Sequence, residues 1–511
     1  MLDTSIHTSA GGNGAGPSHF RFAIVGAGFG GLGMAIKLLE AGVEDFVILD
    51  RDSDVGGTWH ANTYPGCQCD IPSHLYSFSF APNPDWSRTY ATQPEIWRYL
   101  REVSERYGVR DRVRFDSEVT GASWDEDANR WLVDTTSGSL TADVLIVAPG
   151  GLSDPSVPAV EGLDRFEGKV LHTARWDSDY DFAGKRVAVV GTGASAIQAV
   201  PELQPIVDRL TVFQRTPPWV VPHRDRPISR LERAVYRRFP ALQRLMRGAI
   251  YWRNELLVPA LIYRPRLLRI AERVARRHME KQVPDAELRA KLTPDYTIGC
   301  KRILPSDRWY PALTQPNVDI AFSGLEEVRP EGVVLPGGEV AEVDAIVFAT
   351  GFHVTEMPLG DVIHGRDGVA LSDLWQGSPQ AYHGTATAGF PNLFWLGGPN
   401  TGLGHNSIVF MLESQLAYVM DGLRTMEVAG ANRIEVRQDA QDAYNARLQA
   451  RLPQTVWNSG GCSSWYIDAN GNNTTIWPDF TWRFRLENRR FDAAAYELRS
   501  TRERAAEPVA A

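Results

Sequence analysis

Hydrophobic positions along this chain switch between two rhythms. Short unbroken apolar runs end in glycine, and each hands over to a helical three-and-four spacing. Arg21-Phe-Ala-Ile-Val25 reads as a buried strand and Gly26-Ala-Gly28-Phe-Gly-Gly31 as a tight turn. Leu32 to Glu40 then reads as a helix closed by Gly42, and Phe46-Val-Ile-Leu-Asp50 as a second strand. Strand, glycine turn, helix and strand make a βαβ unit. The grammar recurs in Arg186-Val-Ala-Val-Val190, Gly191-Thr-Gly193-Ala-Ser-Ala196, a helix from Ile197, and the strand Leu210-Thr-Val-Phe213. Two further strands, Asp143 to Val147 and Asp344 to Phe348, run into small-residue turns at Gly150 and Gly351. The first is expected to close one half of a dinucleotide domain. The second is expected to return the chain to it after an insertion from about Phe182 to about Pro336.

The expected fold is therefore α/β, with two Rossmann-like units, the second inserted into the first. Residues 228–290 depart from it. Helical periodicity there sets Leu231, Val235, Leu242 and Leu245 among Arg230, Arg233, Arg237, Arg238, Arg244 and Arg247. The pattern reads as a helical subdomain with a solvated basic face, the alternative being a patch that touches an anionic membrane surface.

Each glycine turn has the composition of a pyrophosphate cradle. Gly26 and Gly191 permit the turn, Gly28 and Gly193 let backbone approach the phosphates, and Gly31 or Ala196 lets helix and strand pack closely. The residue that follows separates the ligands. Asp50 lies 24 residues after Gly26, and Arg215 lies 24 after Gly191. A carboxylate there accepts from ribose hydroxyls and repels a 2′-phosphate, whereas a guanidinium pairs with one. The first unit suits FAD or NAD and the second NADP, so the simplest chemistry is electron transfer from NADPH to FAD. Gly56-Gly-Thr-Trp59 supports a flavin, because paired glycines let backbone and an aromatic ring approach a large planar group.

Composition narrows the rest. Among 511 residues, 62 acidic groups outnumber 53 basic ones for a net charge of −9, which argues against a nucleic-acid binder. Four cysteines cannot form a disulfide framework and fit a reducing compartment. The first 19 residues, rich in Gly and Ser, read as a disordered tail without a secretory signal. The apolar run Leu256 to Tyr263 is too short to span a bilayer, so a soluble cytoplasmic protein is expected. Cysteines and histidines show no zinc spacing, and no metal is expected.

Two longer patterns reach beyond this grammar. Gly56-Gly57-Thr-Trp59 continues through Tyr64-Pro65-Gly66 to Asp70, and Phe166-Glu-Gly168 continues through His172 to Trp176-Asp177. Both resemble signatures of the type I Baeyer–Villiger monooxygenases, class B flavoproteins, at every fixed position. The resemblance runs from about Phe20 to at least Trp465. The chain departs from it after Ser464-Trp465, where Tyr-Ile-Asp-Ala-Asn-Gly-Asn-Asn stands.

The resemblance implies an NADPH- and O₂-using enzyme that turns a ketone into an ester or lactone through a flavin C4a peroxide. It implies FAD contacts at Asp50, Thr58, Trp59, Asp70, Tyr76 and Val119. NADP contacts are implied at Thr192, Gly193, Ala194, Ser195, Ala196, Ile197, Gln198, Arg215, Thr216, Lys301 and Trp465. Arg302 is implied as the active-site arginine, holding the peroxide as an anion, with Asp70 as the counter-ion that orients it. His172 is expected at a hinge between domains, and His405 on a substrate-side loop. The domain plan becomes a tail at 1–19, an FAD domain over 20–155, a linker over 156–181, an NADP domain over 182–336, and the rest of the FAD domain with a C-terminal loop over 337–511.

Other readings remain. Oxygenation of sulfur or nitrogen needs the same cofactors. Cys67-Gln-Cys69 invites a disulfide reductase, although one intervening residue strains such a bridge and packing beside the flavin suits them better. A redox sensor that binds FAD and NADP without turnover is the non-enzymatic reading. Small-molecule substrate and O₂ are the expected partners.

Overall fold

The computed structural model describes residues 17–152, 154–354 and 358–500. Residues 1–16 of the expected tail lie outside them, while Ser18 and His19 already belong to the first strand.

β1 (Ser18–Val25) is the centre of the first unit. It is joined through α1 (Phe29–Glu40) to β2 (Phe46–Leu49), and these two strands pair in parallel. β3 (Gly138–Val147) lies on the other side of β1, also parallel. The second edge of β3 is shared. Its first half pairs antiparallel with Arg130–Thr135, and its last three residues pair in parallel with Leu393–Trp395. Phe22, Ile24, Ile48 and Ile146 are almost wholly buried, as strands covered on both faces must be.

The second unit is a five-stranded parallel sheet. Its strands are β4 (Lys169–His172), β5 (Arg186–Val190), β6 (Arg209–Phe213), β7 (Val318–Ala321) and β8 (Ala345–Phe348), in the order β7-β6-β5-β8-β4. Helix α2 (Ala194–Leu203) follows β5 and buries Ile197, Val200 and Leu203 against Val187, Val189 and Val212.

This sheet corrects two placements. The segment expected to return the chain to the first unit, β8, lies between β5 and β4 in the second. β4, expected in a linker with His172 at a hinge, is the edge strand of the same sheet, so His172 is a strand residue paired with Phe348. A fully apolar four-residue strand carries no mark of which parallel sheet it completes. The connections between the units lie side by side. Ser156 N–H donates to the Gly351 carbonyl at 2.9 Å, and Pro155 bridges Phe352.

The excursion contains α3 (Arg230–Arg238), α4 (Pro240–Glu255), α5 (Arg269–Gln282) and α6 (Ala286–Leu292). Ser229 opens α3 with a reciprocal capping box to Glu232. Farther on, α7 (Ile408–Val428) lies against α1, where a Cβ on Gly33 would come within 2.8 Å of Leu416. Much of the tryptophan is structural: Trp86, Trp131, Trp309, Trp395, Trp457 and Trp477 are among the largest fully buried side chains.

Candidate active site

The two glycine turns are built alike. Gly26 has φ +95°, and a Cβ there would meet the Ala148 carbonyl oxygen at 2.4 Å. Gly191 has φ +116° and would meet that of Ala349 at 2.5 Å. A Cβ on Gly31 would strike the Gly26 oxygen, and Ala196 is wholly buried. The middle glycines differ in kind. Gly28 faces only the Gly57 backbone at 3.7 Å, and Gly193 has no protein atom within 4 Å of a Cβ. Protein packing therefore requires the first glycine and the small third residue, and leaves the middle ones uncrowded by protein atoms.

Asp50 ends the run that contains β2. Its carboxylate accepts from Ala27 N–H at 2.5 Å and Asp52 N–H at 2.9 Å, while burial pushes its pKa up. Gly56 N–H donates to the Ala27 carbonyl at 3.0 Å, so the Gly-Gly-Thr-Trp run lies directly on the first turn. Thr58 opens the short helix Thr58–Ala61. Trp59 Nε1 donates to the Tyr76 hydroxyl at 3.1 Å, the two rings edge to face at 5.5 Å. Val119 is buried at the start of the strand Val119–Asp125.

On the second unit, Thr192 Oγ1 donates to the Thr216 carbonyl at 2.9 Å. Ala194 and Ser195 begin α2, and Ile197 packs inward. Gln198 turns towards the other unit, accepting from the Tyr64 hydroxyl at 2.9 Å and donating to the Gln68 carbonyl at 2.9 Å. Arg215 is exposed beyond β6. Lys301 is close enough to feel it: burial lowers the lysine pKa first, and the Arg215 charge lowers it further. Beside them, the buried Gln214 amide has no hydrogen-bond partner among the described residues. Two cations and an orphaned amide suit a phosphate-bearing ligand.

At the end of the Tyr64–Asp70 loop that Gln198 touches, Arg302 Nη2 donates to Asp70 Oδ1 at 2.5 Å. The carboxylate beside it pushes the guanidinium pKa further up, so it stays charged. Tyr466, which the sequence did not single out, is buried beside this pair, and burial pushes its phenol up to about 12. Its one sequence signal was adjacency to Trp465, which is itself exposed and in ring contact with it at 4.3 Å. After Tyr466 the departing segment forms a turn in which Asp468 Oδ1 accepts from Asn470 and Asn472 N–H, and the Asn470 amide docks on Gln376 and Ser378.

The cysteines need a correction. Cys300 and Cys462 form a disulfide, although the cysteine count suggested only reduced thiols. The bridge spans 162 residues, a separation that spacing arguments cannot read. Cys67 and Cys69 are free and buried, and burial pushes the Cys67 thiol up to about 12. Such a thiol is a poor nucleophile and packs as a hydrophobe. His172 Nδ1 accepts from Ala174 N–H at 3.0 Å, its pKa lowered by burial to about 4. His405 is buried, with Nε2 3.2 Å from Glu255 Oε1.

A sequence profile of the pyridine nucleotide-disulphide oxidoreductase family matches residues 23–253. The chain is 54% identical over 481 residues to a Baeyer-Villiger monooxygenase of Streptomyces coelicolor, covering 94% of this chain and 93% of the relative. It is 50% identical over 489 residues to a Baeyer-Villiger monooxygenase of Pseudomonas aeruginosa, covering 95% and 93%. The chain belongs to the Baeyer–Villiger monooxygenase family. Solved structures agree with this family's architecture. A steroid monooxygenase bound to NADP matches with TM-score 0.83 and 31% identity over 94% of this chain and all of that one. A closed cyclohexanone monooxygenase matches with TM-score 0.84 and 30% identity over 95% and 100%. No helix among the described residues is long and apolar enough to cross a membrane.

Proposed function

We propose that this chain uses NADPH and O₂ to insert one oxygen atom beside the carbonyl of a small ketone. The products are an ester or lactone, NADP⁺ and water. The observation that carries this reading is the half-buried Arg302–Asp70 pair, with Lys301 and Tyr466 beside it, in a chain that also carries two glycine turns of dinucleotide type.

FAD and NADPH fit the residues present: Gly193 faces open space, Gly28 meets only glycine backbone, and the Gln214 amide lacks a protein partner among the described residues. When bound, the two groups supply hydride transfer and activation of O₂. The chain does the rest. Gly28, Thr58, Trp59, Tyr76 and the Val119 backbone hold the flavin nucleotide, and Asp50 receives ribose hydroxyls. The N-terminus of α2 receives the second pyrophosphate, and Arg215 with Lys301 receives the 2′-phosphate. The exposed Trp465 on the C-terminal loop would contact that nucleotide.

Arg302 supplies a fixed positive charge where negative charge develops on oxygen during attack at the ketone carbonyl. Asp70 holds the guanidinium in one orientation, and the Tyr466 phenol keeps its proton and can donate it as a hydrogen bond. Gln198 is a positioning residue that ties the nucleotide helix to the Tyr64–Asp70 loop. The reading includes a cytoplasmic location, supported by NADPH as the reductant.

The test is aerobic turnover of the holoenzyme with NADPH on cyclic and linear ketones and an aryl methyl sulfide, with products identified by mass and NMR. Ester or lactone is expected. Sulfoxide without ester would replace this reading with heteroatom oxygenation.

A further inference from the structure

Helix α4 is amphipathic the wrong way round. Its inward face packs Ile250 and Tyr251 into the core but is otherwise polar. Gln243 Nε2 donates to the Asn83 carbonyl at 2.6 Å, and Arg247 Nη1 donates to the carbonyls of His74, Leu75 and Ser77 at 2.9–3.1 Å. Glu255 Oε1 accepts from the Asn406 amide at 2.7 Å and the Thr481 hydroxyl at 2.6 Å. Its outward face is apolar: Leu242, Leu245, Met246, Trp252 and, at the C-cap, Leu256 recur at three- and four-residue steps on the opposite side. Leu245 is 69% exposed, Trp252 58% and Leu256 76%. A surface helix ordinarily turns such a stripe into the core. Contiguous apolar surface of this kind marks an interaction site.

Charge identifies the partner. Residues 230–282 hold fourteen Arg and Lys against four Glu and no Asp, in a chain of net charge −9. One of the four, Glu255, is buried, and another, Glu232, is engaged by Arg226 at 2.8 Å. Arg244, Arg253, Arg264, Arg266 and Arg269 are exposed among the apolar side chains, and Ile270 and Val274 extend the apolar surface onto α5. We propose that this outward face of α4, with its surrounding arginines, docks the protein on an anionic lipid surface.

The helix lies in the interface plane, its leucines and Trp252 below the headgroups and its arginines against lipid phosphates. A second copy of the chain is a poor occupant. A two-fold dimer would set this positive face against itself. The inner bonds make the docking rigid: Arg247 grips carbonyls on both sides of Tyr76, and Glu255 holds Asn406 and Thr481.

The test is sedimentation of the holoenzyme with vesicles of phosphatidylcholine alone, or with about 30 mol% phosphatidylglycerol. Retention on the anionic vesicles only is expected, weakening as added salt screens the arginines. The double variant L245E/L256E should lose at least about tenfold in vesicle affinity while keeping its thermal midpoint and flavin content. L132E, which charges an exposed leucine of the Arg130–Thr135 strand, should bind like the parent. No retention on anionic vesicles, equal retention on both kinds, or undiminished binding of the double variant would overturn the proposal. So would a dimer in equilibrium sedimentation that the double variant splits.

Discussion

A Cβ on Gly66 would lie 2.6 Å from the carbonyl oxygen of Gln198, so the Tyr64–Asp70 loop of the first unit sits directly on helix α2 of the second. Gly66 has φ +78°, and Gln198 returns the contact through hydrogen bonds to Tyr64 and Gln68. The close approach of the Tyr64–Asp70 loop to helix α2 is thus permitted by a glycine that faces the second unit.

Gly66→Ala should therefore force the units apart by a fraction of an ångström and add strain at a left-handed backbone. FAD content is expected to hold. The rate of flavin reduction by NADPH should fall about 10- to 100-fold, since hydride transfer depends steeply on alignment. Anaerobic stopped-flow absorbance measures it, and an unchanged rate would remove the contact from the account.

Arg215→Ala should separate the two nicotinamide nucleotides. Losing a charged pairing to the 2′-phosphate should raise KM for NADPH by roughly 10- to 100-fold and leave that for NADH nearly unchanged. Equal effects on both would show that Arg215 does not read the phosphate. Lys301, whose pKa is lowered by burial and then by the Arg215 charge, should hold its proton more firmly in that variant, its pKa moving back up.

The Cys300–Cys462 bridge ties the segment carrying Lys301 and Arg302 to the loop carrying Trp465. Cys462→Ser should loosen that loop. NADP⁺ release is expected to speed up and KM for NADPH to rise several-fold, with FAD content unaltered. A reductant should reproduce the effect in the parent protein and do nothing further in the variant. Identical kinetics in all three would make the bridge irrelevant to nucleotide binding.

Much of the candidate site was legible in the chain because its parts are local. The glycine turns, Asp50 and Arg215 follow from a residue type at a fixed offset from a strand, whereas Arg302 and Asp70 are implied only by the family resemblance of longer motifs. What stayed hidden depends on distant packing. An apolar strand such as Ala345–Phe348 looks the same whichever sheet it completes. Tyr466 reaches Arg302 only through the fold, and the disulfide joins residues 162 apart. The helical rhythm of α4 was plain, but its orientation was not. Arg247 faces inward because loop carbonyls need donors, leaving the leucines outside.

Acid should destabilise the fold through three buried histidines. Burial lowers His74 and His172 to about 4 and His383 to about 3. Between these values and the ordinary pKa of about 6.5, the unfolded chain binds protons that the folded one does not. Stability should therefore be fully present above pH 6.5 and fall as pH drops towards 4, by up to roughly 1.4 kcal/mol per pH unit for each histidine. Urea midpoints at pH 7, 6 and 5 measure it, and His383→Asn should flatten the slope. A midpoint that rises on acidification would contradict the assignment.

The central claim is that Arg302, held by Asp70, stabilises negative charge on oxygen at the ketone. Its most direct measurement is the product balance of Arg302→Ala beside Arg302→Lys, with NADPH oxidation and ester formation followed together in air. The account predicts continued NADPH oxidation by the alanine variant, released as hydrogen peroxide, with ester formation reduced at least about 1000-fold and partly restored by lysine. Ester formed by Arg302→Ala at the parent rate would contradict it.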